Sequence, residues 1–162
     1  MSSTFSLPEN CKIVEMVAPT VGGVGVVTSD YISLRNAHKA WIVIHYTDGN
    51  GNAVVYQPVR ATGVTPVGNV SITTAVKIWS NMDTAASDLL VERTAATSYA
   101  QDNAVKNKVI IFEIDPVDLG PTYDCIGFTA TTPAAGDYIS ALFVVQPRYQ
   151  TRVLTAPASI TD

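Results

Sequence analysis

Lys39-Ala-Trp-Ile-Val-Ile-His-Tyr46 is the stretch whose reading decides the fold class. Side chains alternate with a period of two along an extended chain. Trp41, Val43 and His45 therefore point one way and Ile42, Ile44 and Tyr46 the other. Both sides are mostly apolar, which suits a central strand or a strand held between packed layers. Asp48-Gly-Asn-Gly-Asn52 follows directly, and a second extended pattern covers residues 53–59. Turn chemistry between two such patterns predicts a β-hairpin. Pro58, late in the second run, suggests a strand end or a sheet edge, because proline brings no N–H to the ladder.

Outward from this hairpin, residues 12–17, 30–34, 70–74, 75–80, 108–114, 123–129 and 138–146 also read as strands, separated by Gly, Pro, Asn and Asp. The segment 81–90 admits two readings: one helical turn capped by Asp83 or Thr84, or a strand over 89–94. Residues 97–105 are ambiguous. No run is long and periodic enough for a substantial helix. Eight to ten short strands predict an all-β single domain: a β-sandwich, a jelly-roll-like fold or a barrel. Two sheets would bury Trp41, Val43, Ile78, Ile110, Phe112, Ile126, Phe128, Leu142 and Val144 between them. Asp30-Tyr-Ile-Ser33 recurs as Asp137-Tyr-Ile-Ser140, a match too short to infer duplication.

Composition agrees. Val, Thr and Ile supply 51 of the 162 residues, and branching at Cβ suits a pleated sheet better than a helix. A chain of this length buries about two-thirds of its unfolded surface and needs no metal or disulfide to fold. Charged residues make up 15% and the net charge is −4, with ten basic residues scattered along the chain. No basic stripe exists to follow nucleic-acid phosphates. The N-terminus lacks the pattern of a signal peptide, and no apolar run has the length of a membrane span. Nucleic acid and membrane are thus not expected partners. Cys11 and Cys125 have no metal-ligand spacing and read as free thiols, consistent with synthesis in a reducing cytoplasm. A disulfide would require the N-terminal segment to lie beside the strand that carries Cys125.

The alternation stops after Pro147, and residues 1–10 lack it too. The chain is therefore divided into an extended N-terminal arm (1–10), a β domain (11–147) and an extended C-terminal arm (148–162). Phe5, Leu7, Arg148, Tyr149, Arg152, Val153, Leu154 and Ile160 are the candidate subunit or capsid contacts. Val153, Leu154 and Ile160 are apolar anchors that a merely solvated tail would not need.

Nothing in the sequence points to catalysis. His45 sits among apolar strand residues and reads as packed, and His38 reads as a turn residue. No nucleophile or metalloprotease motif occurs. Gly22-Gly-Val-Gly25 lacks the lysine of a phosphate-binding loop and reads as a mobile turn. Asp48, Asn50 and Asn52 have the opening spacing of a calcium loop, but Ala53 and Val59 stand where Gly and a bidentate Glu are needed. No catalytic, metal or cofactor residue is assigned, and a non-enzymatic protein is expected.

Four blocks carry a resemblance: Leu7-Pro-Glu-Asn-Cys-Lys-Ile-Val-Glu-Met16, Val76-Lys-Ile-Trp-Ser-Asn-Met-Asp-Thr-Ala-Ala-Ser-Asp88, Val109-Ile-Ile-Phe-Glu-Ile-Asp-Pro116 and Tyr123-Asp-Cys-Ile126. Over most of its length the chain resembles small head decoration, or cement, proteins: auxiliary capsid proteins of tailed bacteriophages and prophages. The resemblance implies a structural virion protein on the capsid exterior. It further implies the major capsid protein as partner and a homo-oligomer, a trimer above all. Its motifs are structural, so no functional residue carries over. The alternatives are a receptor- or carbohydrate-binding β module and a neck or tail protein.

Overall fold

The computed structural model describes residues 6–23, 25–65 and 68–148. In chain order it comprises a helical turn, α1 (Leu7–Asn10), and twelve strands: β1 (Lys12–Val21), β2 (Val27–Thr28), β3 (Ile32–Ser33), β4 (Ala37–Thr47), β5 (Val55–Ala61), β6 (Val70–Ser71), β7 (Val76–Asn81), β8 (Val91–Ala96), β9 (Tyr99–Ala100), β10 (Asn107–Ile114), β11 (Cys125–Ala130) and β12 (Tyr138–Pro147). A 3-10 turn at Pro116–Leu119 separates β10 from β11.

The strands form a sandwich of two antiparallel sheets. One has the order β1-β12-β4-β10-β7-β8, and the other β2-β11-β5-β6, with β3 against β11 and β9 against β5. The expected all-β sandwich is the fold observed. The segment that decided it, within β4, is central: it pairs with β10 on one side and β12 on the other. β4 and β5 do not pair as a hairpin. They lie in different sheets, so the loop after Thr47 crosses the sandwich at its end. Pro58 stands opposite Phe128 inside β5, and β5 is short of a full ladder on its other side.

The core assignment needs correction on two strands. Ile42, Ile44 and Tyr46 of β4 are fully buried, as are Ala141, Phe143 and Val145 of β12. Trp41, Val43 and Val144 lie half-buried on the opposite face, and Leu142 is 43% exposed. The alternation was sound, but both faces of β4 and β12 are apolar, and hydropathy cannot tell which one meets the second sheet. Ile78, Ile110, Phe112, Ile126 and Phe128 are buried as expected.

Three local readings also change. Residues 7–10 turn helically where an extended arm was expected: Pro8 supplies the φ of a first turn, and Cys11 N–H donates to Leu7 O at 2.8 Å. Residues 84–86 form a turn capped by the Asp83 carboxylate, and the strand begins later, at Val91. The glycine run is pinned in place. Gly22 and Gly23 N–H donate to Asp137 O and Pro133 O at 2.9 and 2.8 Å. A Cβ on Gly22 would lie 2.3 Å from Ala134 O.

Candidate contact surface

An antiparallel sheet with one wet face normally alternates apolar-in and polar-out. The six-stranded sheet departs from that rule. Its strand registers place Ile13, Val144, Trp41, Glu113 and Lys77 in one row across the outer face. The next row holds Glu15, Leu142, Val43, Ile111, Trp79 and Glu92. Both tryptophans of the chain therefore stand on this one face, half-buried by their neighbours. Ile13 is 46% exposed and Leu142 43%. His45, expected to be packed, is exposed one row further on. A contiguous apolar patch of this kind, rimmed by charge, marks an interaction surface.

Charges on the face are arranged and partly neutralised. Lys39 Nζ lies 2.6 Å from Glu113 and 3.7 Å from Asp115. That hydrogen bond from Lys39 holds the Glu113 carboxyl below the ordinary carboxylate range, against the opposing effect of burial. Glu15 sits on β1 at one flank, and Lys77 sits on β7 toward the other.

A buried polar cluster stiffens one end of the sandwich. Lys108, on the inner face of β10, is fully buried. Its ammonium donates to Asp48 Oδ2 at 3.1 Å, to Asp102 O at 2.7 Å and to Asp102 Oδ1 at 2.9 Å. Three donors meet three acceptors, which is the condition for burying a charge tolerably. Asp48 also accepts from the N–H groups of Asn50 and Gly51. Asp137 accepts from Tyr46 Oη, Gly49 N–H and Ala134 N–H. Tyr56 Oη donates to Gln101 at 2.7 Å. Burial, with Asp137 close by, raises the Tyr46 phenol far above its usual pKa, and burial does the same to Tyr56. The cluster ties the loops at 48–52, 101–106 and 133–137 together. Sequence reasoning missed it, because Asp48 reads as an exposed turn residue and Lys108 as an ordinary strand-opening lysine. Asp48 is thus turned inward, away from the loop surface where a calcium ligand would stand.

Of the candidate contacts, Leu7 is 42% exposed on α1, and Arg148 is exposed just past β12, its N–H donating to Asn36 O at 2.8 Å. Lys12 pairs with Val145, so β1 starts where β12 ends. Leu7 and Arg148 therefore lie toward the same end of the molecule. Phe5, Tyr149, Arg152, Val153, Leu154 and Ile160 lie outside the described residues. Both cysteines are free thiols, half-buried Cys11 ahead of β1 and buried Cys125 at the start of β11 in the other sheet. Burial pushes the Cys125 thiol up to about 12.

No family model matches the sequence, and no curated protein matches it. Among solved structures, the SPBc2 prophage-derived protein YomS is similar at 9% identity and a TM-score of 0.47, over 85% of this chain and 94% of that one. A likeness at that level carries no functional argument.

Proposed function

We propose that this chain is a structural protein of a tailed-phage virion, which binds the outer surface of the capsid and stabilises capsomer junctions without catalysing a reaction. The sequence resemblance supplies the virion context. The observation that carries the contact mode is the placement of both chain ends. β1 begins beside the end of β12, so the terminal segments that hold the candidate contacts leave the sandwich side by side. A stiff two-sheet body with paired segments at one end can hold itself upright on a shell and spread contact over adjacent capsomers. The major capsid protein is the proposed partner, and copies of the chain associate with one another as part of the same role. Large interfaces of this type are assembled from many modest contacts around a few apolar anchors.

The test is co-sedimentation of purified full-length chain with phage heads that lack it. The wild-type chain is expected to pellet with heads and to raise the temperature at which they release DNA. Leu7→Asp combined with Arg148→Glu is expected to weaken head binding at least tenfold while leaving the circular-dichroism spectrum unchanged. Binding unaffected by that pair, or binding that fails for the wild-type chain, rejects the proposal.

A further inference from the structure

We infer that the outer face of the six-stranded sheet is where two copies of this chain pair, sheet against sheet, about a two-fold axis. This goes beyond the capsid contact above and uses a different surface.

The partner is identified by the chemistry of the face. Its middle is apolar and aromatic, through Trp41, Val43, Leu142 and Ile111. Lys39 is already held by Glu113 within the chain. A matching surface must therefore be nearly neutral and apolar at its centre, with one base opposite Glu15 and one acid opposite Lys77. The same face on a second copy meets that description. A two-fold axis along β4 lays β1 of each copy over β7 of the other, because the two strands stand equally far from β4 in the sheet order. Glu15 then approaches Lys77 of the second copy, twice per dimer. Trp41 and Val43 face their own counterparts on the axis, and Leu142 faces Ile111. Aligned sheets pack about 10 Å apart with strands within roughly 30° of one another, which this arrangement allows.

The area sets the strength. Five inter-strand gaps of about 4.8 Å and strand segments of about 20 Å give a footprint of roughly 500 Å² on each copy. The total of about 1,000 Å² just reaches the size at which specific interfaces begin. The pair should accordingly form in the micromolar range and exchange readily, as a weak contact reinforced when many copies are gathered on one surface.

Sedimentation equilibrium of the full-length chain from low to high micromolar concentration tests this directly. The mean mass is expected to climb from 17.2 kDa toward twice that value. Leu142→Asp, at an exposed position, is expected to hold the mass at the monomer value. Glu15→Lys is expected to weaken association about tenfold, and adding Lys77→Glu to restore it. Charge-swap rescue is a signature that a merely unfolded or sticky variant does not give. A monomer throughout, a trimeric mass, association untouched by Leu142→Asp or by Glu15→Lys, or a swapped pair that does not recover each overturns the inference. No capsid is present in the assay, so its failure is distinct from failure of head binding.

Discussion

Lys108 shows how much one side chain commits. Its ammonium lies wholly inside the protein with all three protons donated, and Asp48 is equally buried beside it. A pair like this contributes little net stability relative to an apolar substitute, yet breaking it leaves one charge stranded. Lys108→Met is therefore expected to destabilise the protein by about 3–5 kcal/mol, measured by urea unfolding. Adding Asp48→Asn removes the orphaned charge but keeps an oxygen for the Asn50 and Gly51 N–H groups, so the double variant should recover more than half of the loss. A cost below about 1 kcal/mol for the single variant would mean that Asp48 is not held as an anion by Lys108. The cluster was illegible in the sequence because its members lie far apart in the chain, and a lone Asp in a turn or Lys in a strand is ordinarily solvated.

At the level of elements, β12 offers a sharp comparison between neighbours. Phe143 is fully buried, while Leu142 next to it is 43% exposed. Phe143→Ala should cost about 3–5 kcal/mol through lost burial and the cavity left behind. Leu142→Ala should cost the monomer about 0.5 kcal/mol or less, as surface substitutions do. Equal costs would show that the outer face is packed after all. Gly49 illustrates a constraint of another kind. A Cβ there would sit 2.5 Å from Gly136 O, so the loops after β4 and before β12 touch through backbone alone. The strands β4, β10 and β12 were legible because long runs of β-branched and aromatic residues leave no other option. The short strands β2, β6 and β9 were not, since two residues carry no periodicity and exist only where a longer strand offers hydrogen bonds.

Across the whole molecule, carboxylates set the response to acid. The hydrogen bond from Lys39 lowers the pKa of Glu113, and that from Lys106 lowers the pKa of Asp83. A carboxyl with a folded pKa below its unfolded value stabilises the fold fully above the unfolded value, about 4, and loses that effect as pH falls through the folded one. Asp118, raised by burial, acts in the opposite direction and offsets part of the loss. The melting temperature is thus expected to hold steady from neutral pH down to about 5 and to fall below about 4. Glu113→Gln should lower it at neutral pH and flatten the acid limb. A melting temperature independent of pH in that range would remove these pairs from the stability of the fold.

The sequence by itself determined the class: β-branched, weakly charged segments of strand length, cut by turn residues, bury enough apolar surface only as packed sheets. It also marked which residues of each strand share a side, since alternation is a property of extended backbone. Only the tertiary structure decided which side faces inward. The tetrapeptide that occurs twice makes the point. Tyr31 is 1% exposed and Tyr138 56%, although each stands in Asp-Tyr-Ile-Ser. Local chemistry is identical in the two copies. What differs is the layer each one meets, and that is set by strand order and register across residues distant in the chain, where no local pattern records it.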